Sequence, residues 1–223
     1  LTLWDVHVVF ALERWKQQAG SQVRAWLDAL GTFEALAALA GLSHDNPAWV
    51  FPNLSEANDR LEASQIGHPL LREDVRVRNE VTVGPPGTFL LVTGSNMSGK
   101  STLLRAIGVN TVLAQAGGTV CAEALSLPPV AIWTSVRVQD SLERGVSFFL
   151  AELQRLKLVV DAATQAHQQD GPRVLYLLDE ILQGTNTAER SVAARQIIAY
   201  LVQQGAIGVV STHDLNFAAA YSD

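Results

Sequence analysis

Apolar residues recur with different spacings before and after residue 46. In residues 1–45 they recur at helical spacings, in one stretch before Gly20-Ser21 and in a second stretch that reaches Gly41. The apolar positions are Val6, Val9, Phe10, Leu12, Val23, Trp26, Leu27 and Leu30. The pattern predicts two helices. Because two helices alone bury little surface, we expect them to pack on the main domain or on a neighbouring domain.

From about residue 60, short apolar runs alternate with longer stretches of helical spacing. This alternation predicts an α/β domain over residues 46–223, with a largely parallel sheet flanked by helices. The turn-forming residues within 43–58 predict a linker at the start of this domain. The predicted strands are Thr88–Thr93, Val130–Val138, Val174–Leu178 and Ile207–Ser211, and the predicted helices cover 100–116, 149–168 and 187–204.

Composition narrows the range of partners and compartments. The net charge of -6 argues against a broad nucleic-acid-binding face, which needs clustered Lys and Arg, so any DNA would be held by regions outside this chain. The single cysteine, Cys121, is expected to be a small buried residue in a reducing cytoplasm. No uninterrupted apolar run approaches the roughly 18 residues that cross a bilayer, so no membrane partner is expected.

The segment TGSNMSGKST at 93–102 carries the pattern GxxxxGK[ST] between a predicted strand and a predicted helix. In a loop of this kind, glycines let backbone N–H groups point at phosphate oxygens, and the following helix adds its positive end. Lys100 would contact the β- and γ-phosphates of ATP, and Ser101 would be a ligand of Mg²⁺. The predicted nucleotide-binding residues of this P-loop are Gly94, Ser95, Asn96, Met97, Ser98, Gly99, Lys100, Ser101 and Thr102.

Polar residues follow two further predicted strands. Asp179 and Glu180 come directly after an apolar strand, and His213 follows the strand that ends at Ser211. Because ligands gather at the carboxyl ends of parallel strands, we expect Asp179 to hold Mg²⁺ and Glu180 to polarise the water that attacks the γ-phosphate. His213 is interpreted as a sensor of the γ-phosphate, against the alternative of a structural histidine.

Four motifs in order resemble those of the MutS family of DNA mismatch-repair proteins. TGSNMSGKST is similar to the family's TGPNMGGKST, and DEILQGTNTAER at 179–190 to its DEIGRGTST segment. STHD at 211–214 matches the family's histidine loop, and GVSFFLAEL at 145–153 resembles its G-x-S-T-F-x-x-E-M signature. The resemblance covers about residues 60–217 and implies a P-loop NTPase fold like that of ABC ATPases, while residues 1–45 would correspond to the end of the family's helical core.

The resemblance also implies a homodimer in which two ATP-bound domains face each other. Ser147 and Gly145 match the signature loop, so they would act in trans on the partner's γ-phosphate; the alternative for Ser147 is an ordinary helix N-cap. Thr185, Asn186 and Thr187 match a loop that crosses between subunits. DNA and other repair proteins would be partners of the complete protein.

Departures from the family pattern leave two points open. Where the family has an aromatic residue to stack on adenine, this chain has VRVRN at 75–79, in which Arg76 could stack through its guanidinium plane. Phe148 replaces a threonine of the signature. The alternatives to a MutS-like ATPase are an ABC-type ATPase of a transporter or chromosome-maintenance protein, which an LSGGQ-like signature would favour, and a nucleotide switch with negligible hydrolysis.

Overall fold

The computed structural model describes residues 3–95, 98–136, 148–169, 171–182, 187–214, 217 and 219, with side-chain positions undescribed at 148, 149 and 187–191. The chain divides into two compact units, Leu1–Asn46 and Pro47–Asp223. In chain order the elements are α1 Trp4–Ala19, α2 Val23–Asp45, β1 Asn53–Leu54, β2 Leu61–Ile66, β3 Asn79–Val83, β4 Phe89–Thr93, α3 Lys100–Gln115, β5 Ala124–Leu127, β6 Val130–Ser135, α4 Phe148–Gln169, β7 Arg173–Asp179, α5 Thr187–Gln203 and β8 Ile207–Thr212.

The first unit consists of α1, a short 3-10 turn at Gly20–Gln22 and α2. Helix α2 continues through Gly41 to Asp45, so the glycine does not end it as its position suggested. Neither helix contains a buried residue, and large apolar side chains are exposed along both. The most exposed are Trp4, Phe10, Leu27, Phe33 and Leu36.

The helical segment Trp4–Asp45 meets the length and composition criterion for crossing a membrane, because an 18-residue window in it has a mean hydropathy of 1.3. The sequence alone did not predict this, because the segment contains no uninterrupted apolar run of that length. A helix that packs its apolar side on protein meets the same criterion. The criterion therefore shows that the segment is apolar and helical, and it does not distinguish a membrane from a protein surface.

The second unit is built around the predicted parallel sheet. Strand order is β4-β8-β7-β6 with parallel pairing throughout, and the predicted strands and helices are found to within a few residues. The predicted strand Val130–Val138 ends at Ser135, and its last two positions, 137 and 138, lie outside the described residues. The consecutive apolar residues of β7 are buried because both faces of the sheet are covered.

A second four-stranded sheet, in the order β1-β5-β2-β3, was not predicted. Strands β1 and β5 have only two and four residues, and Leu61 of β2 and Val81 of β3 are buried. The predicted linker is partly structured, since Asn53–Leu54 pairs in parallel with β5 and Val50 forms a bridge to Val120.

The parallel sheet lies between two hydrophobic clusters. On one face Leu175, Leu177 and Val209 pack with α3 and with the second sheet; on the other Val174 and Tyr176 pack with α4 and α5. Successive residues of one strand therefore serve opposite faces. The register aligns Thr93 with Thr212 and Asp179 with Ser211, so polar side chains collect where three strands end.

Candidate functional site

The P-loop joins the end of β4 to the start of α3 as the sequence predicted. Gly94 has φ 155° and Gly99, which precedes the helix, has φ 90°. A Cβ atom at Gly94 would lie 2.8 Å from the Ser98 hydroxyl oxygen, so any other residue here would have to displace that hydroxyl as well as adopt a φ that favours glycine. Ser98 N–H donates to Ser95 O at 3.3 Å, which tightens the loop.

Lys100 is the first residue of α3 and is buried, with 6% of its surface exposed. Its ammonium nitrogen donates to Gly94 O and Ser95 O, both at 2.9 Å. The same nitrogen lies 3.6 Å from Glu180 Oε1. A buried ammonium requires such partners, and here they hold the positive charge between the P-loop and the end of β7.

Asp179 and Glu180 occupy the carboxyl end of β7, and β8 holds both in place through Ser211. The Ser211 hydroxyl donates to Asp179 Oδ1 at 2.5 Å, and Glu180 N–H is 3.2 Å from both Ser211 O and Ser211 Oγ. Ser211 is 1% exposed. The buried serine therefore fixes the orientation of the first carboxylate and the backbone of the second.

Glu180 Oε1 also lies 3.3 Å from His213 Nδ1. The carboxylate is thus flanked by Lys100 from the P-loop and by His213 from the segment after β8, and both Glu180 and His213 side chains remain partly accessible. The structure brings together three of the predicted catalytic residues, which come from three separate parts of the sequence.

The backbone after β7 is strained. Glu180 has φ 50° and Leu182 has φ 61°, although neither is glycine. Leu182 N–H donates at 2.5 Å to Oε1 of Glu152, a carboxylate of α4. Such conformations persist where surrounding contacts enforce them, and they concentrate at functional sites.

A cleft of about 440 Å³ opens beside the P-loop. Its far side is formed by His68, Leu71, Val75, Val77 and Asn79, and its near side by Gly94, Ser98, Gly99, Lys100 and Thr102. His68 Nδ1 accepts the Leu70 N–H at 3.2 Å, so the other ring nitrogen carries the proton of the neutral imidazole. Partial burial, followed by the charges of Arg105 and Arg76, lowers the pKa of His68.

Arg76, the residue predicted to stack on the base, is not among the residues that line this cleft. The side chain is 6% exposed, and its guanidinium donates to His68 O at 3.2 Å, to Leu71 O at 2.5 Å and to Glu73. The group also lies 5.9 Å from the Trp49 ring centroid. Arg76 is therefore bound within the loop whose other residues form the cleft wall.

Several predicted positions lie outside the described residues. These are Asn96, Met97, Gly145, Ser147, Thr185 and Asn186. Phe148 and Thr187 begin α4 and α5, and their side chains are not described. Ser101 follows Lys100 in the first turn of α3 and is partly buried.

Sequence reasoning assigned no role to Ser211 or to Glu152. Ser211 could have been predicted from the strand register, because the register of β7 and β8 places this polar residue beside Asp179. Glu152 lies within the signature motif, but its contact with Leu182 joins segments 30 residues apart in sequence and depends on how α4 packs on the sheet.

A P-loop with a buried lysine, close to two carboxylates at the end of a parallel sheet, is the arrangement of a P-loop NTPase-type α/β domain. Residues 90–222, more than half of the chain, match the family model MutS domain V. The chain belongs to the MutS family.

Curated relatives agree with this assignment. Endonuclease MutS2 of Thermus thermophilus is 32% identical over 192 residues, which is 84% of this chain and 24% of the relative. The DNA mismatch repair protein MutS of Chlorobium chlorochromatii is 35% identical over 203 residues, 88% of this chain and 22% of the relative. The chain thus spans about a quarter or less of the length of these relatives.

Proposed function

We propose that this chain is the ATP-binding and ATP-hydrolysing domain of a MutS-like DNA repair protein. The observation that supports it most directly is the position of Glu180 Oε1, 3.6 Å from the P-loop Lys100 and 3.3 Å from His213. A carboxylate held between a P-loop ammonium and a histidine is suited to orient water near a terminal phosphate.

The residues at the carboxyl edge of the parallel sheet are chemically suited to bind MgATP. Lys100 and the backbone N–H groups at the start of α3 would bind phosphate oxygens, since a helix N-terminus and an ammonium both favour anions. Asp179 and Ser101 would hold Mg²⁺, which neutralises phosphate charge when bound. Two protein oxygens are enough for this role, because Mg²⁺ usually keeps several waters and takes further ligands from substrate phosphates.

Each residue then has a distinct task. Glu180 would orient the attacking water and accept its proton, with its position fixed through Ser211. His213 would sense the γ-phosphate. Its ring N–H, which now faces the Glu180 carboxylate, could donate a hydrogen bond to a phosphate oxygen instead. Such catalysis consists chiefly of positioning and charge stabilisation.

The base would lie in the cleft beside the P-loop. Leu71, Val75 and Val77 offer aliphatic side chains there, two of them largely exposed, and within the described part of the chain no Phe, Tyr or Trp lines the cleft. Aliphatic contacts would thus replace the aromatic stacking of the family pattern, with Arg76 holding the loop from behind.

The whole protein's behaviour is part of the same proposal. The chain would form a homodimer through its ATP-binding face, with Ser147 acting on the partner's nucleotide, and couple hydrolysis to conformational change on DNA held by regions outside this chain. A cytoplasmic location fits the buried, unpaired Cys121. Two relatives carry the names endonuclease and DNA mismatch repair protein, and either kind of whole protein is compatible with this domain.

Glu180→Gln tests hydrolysis directly. The amide preserves the shape of the side chain but cannot accept the proton of the attacking water, so turnover should fall by about 10² or more while ATP binding persists. Phosphate release at steady state measures turnover, and calorimetry with Mg²⁺ and ATP measures affinity.

Glu62→Gln on the exposed side of β2 is the matched control, and it should hydrolyse ATP at the parent rate. A parent that binds ATP without releasing phosphate at any protein concentration would identify a nucleotide switch instead. Equal rates for parent and Glu180→Gln would exclude Glu180 as the base.

A further inference from the structure

The turn from Glu180 to Leu182 is held at both of its ends by groups from other elements. At its start, Glu180 N–H is bonded to Ser211 of β8; at its end, Leu182 N–H is bonded to the carboxylate of Glu152 on α4. Between them, Ile181 and Leu182 are buried in the hydrophobic cluster that α4 helps to form. The position of the Glu180 carboxylate thus depends on two neighbours.

Glu152 is an unusual residue for its location. It is 3% exposed, within a cluster that includes Leu156 and Val159 of the same helix. An apolar residue would fit that cluster with no desolvation cost, whereas a buried carboxyl group destabilises the fold unless it is hydrogen-bonded. Its acceptor oxygen is directed at the amide of a residue with positive φ.

We propose that Glu152 is a positioning residue for ATP hydrolysis, which holds the strained turn after β7 and thereby keeps the Glu180 carboxylate between Lys100 and His213. This inference rests on the proposed function of Glu180. Without the Glu152 acceptor, the backbone at Leu182 can relax toward negative φ, since that conformation is favoured for a leucine. The relaxation moves Glu180, two residues earlier, away from its position near Lys100 and His213.

The consequence is a specific kinetic signature. Glu152→Ala should lower kcat about 10- to 100-fold, the range expected for a misplaced catalytic group, with KM for ATP changed less than about twofold because the P-loop is untouched. Glu152→Gln retains a carbonyl oxygen at the same distance from the backbone and should recover most of the lost kcat.

Loss of stability must be separated from loss of position. Val159→Ala shortens a fully buried side chain of the same helix and the same cluster, at a position about two helical turns from Glu152. It should lower the melting temperature as Glu152→Ala does, and it should keep the parent kcat when all variants are assayed well below their melting temperatures.

Amide hydrogen exchange supplies a measurement that needs no activity. Exchange at Leu182 N–H, followed by NMR, should accelerate in Glu152→Ala beyond its rate in Val159→Ala and return toward the parent rate in Glu152→Gln. The proposal is overturned if Glu152→Ala matches Val159→Ala in kcat or in Leu182 exchange. A parent that fails to hydrolyse ATP would instead overturn the proposed function and with it the positioning role of Glu152, while the exchange data would still report on the Glu152 contact.

Discussion

Single residues in this domain take their roles from what surrounds them, and two of the charged side chains show this most clearly. Lys100 is buried and tied to P-loop carbonyls near Glu180, as its motif position predicts. Arg76 occupies the position expected to face the base, yet its guanidinium is satisfied by His68 O, Leu71 O and Glu73. A guanidinium with five donors binds where carbonyls and carboxylates are concentrated, and a single sequence does not locate them.

The lowered pKa of His68 predicts a pH dependence of stability. The unfolded chain takes up a proton near the ordinary value of 6.5, whereas the folded chain does so only at lower pH. Below pH 6.5 the unfolded state therefore binds more protons, so this contribution to stability is present above 6.5 and is lost as pH falls toward the folded pKa. Urea unfolding at pH 7.5 and pH 5.5 measures the loss.

His68→Gln is the comparison for this prediction, since a glutamine does not titrate and its carbonyl can accept an N–H. The variant should lose less stability than the parent between the two pH values. Equal losses would show that His68 titrates alike in the folded and unfolded chains.

At the scale of elements, the predictions succeeded where a pattern is local and failed where pairing is distant. Strand β7 reads as five consecutive apolar residues, and the P-loop motif marks the junction of β4 and α3, so both were predicted. The second sheet depends on β5 inserting between β1 and β2, and β1 and β5 are only two and four residues long, too short for a distinctive pattern. Likewise, Asp179, Glu180 and His213 could be predicted at the sheet edge because each lies where a predicted strand ends. The contact of Glu152 with Leu182 depends on how α4 packs on the sheet, which the sequence pattern does not show.

Strands β7 and β8 also fit together through a glycine. The register pairs Tyr176 with Gly208, and a Cβ atom at Gly208 would lie 2.3 Å from the tyrosine ring. Gly208→Ala should therefore destabilise the domain by about 1–3 kcal/mol, as overpacking does in a tight core. Thermal or urea unfolding gives the value.

Gly171→Ala is the matched control in the same unit, because the nearest atom to its added Cβ lies at 3.6 Å, an ordinary contact. Its stability should remain within about 0.5 kcal/mol of the parent, as for most substitutions outside the core. A Gly208→Ala protein as stable as Gly171→Ala would mean that the Tyr176 ring can move aside without cost.

At the scale of the molecule, the proposed reaction would use residues from two copies of the chain. The P-loop, Asp179, Glu180 and His213 lie at one edge of one sheet, while the signature residue Ser147 is expected to act on the nucleotide of another copy. If so, the rate of phosphate release per molecule should rise with protein concentration, because the complete site forms in the dimer.

Mixing two inactive variants tests the division of labour between copies. Lys100→Ala should bind ATP poorly, since phosphate charge loses its closest cation, and Ser147→Ala should bind ATP but hydrolyse it slowly. A heterodimer of the two contains one site with an intact P-loop from the Ser147→Ala chain and an intact serine from the Lys100→Ala chain. Phosphate release should therefore partly recover on mixing, at concentrations where the parent is active.

The contrary result has an equally definite structural meaning. If the mixture stays as inactive as either variant alone, Ser147 does not complete the site of another copy. The serine, which precedes Phe148 in the sequence, would then be a helix cap, whose hydroxyl would accept a backbone N–H within its own chain. Such a cap would make Ser147→Ala inactive by disturbing α4, the helix that carries Glu152 to the turn at Glu180, and added Lys100→Ala chains could not repair that contact.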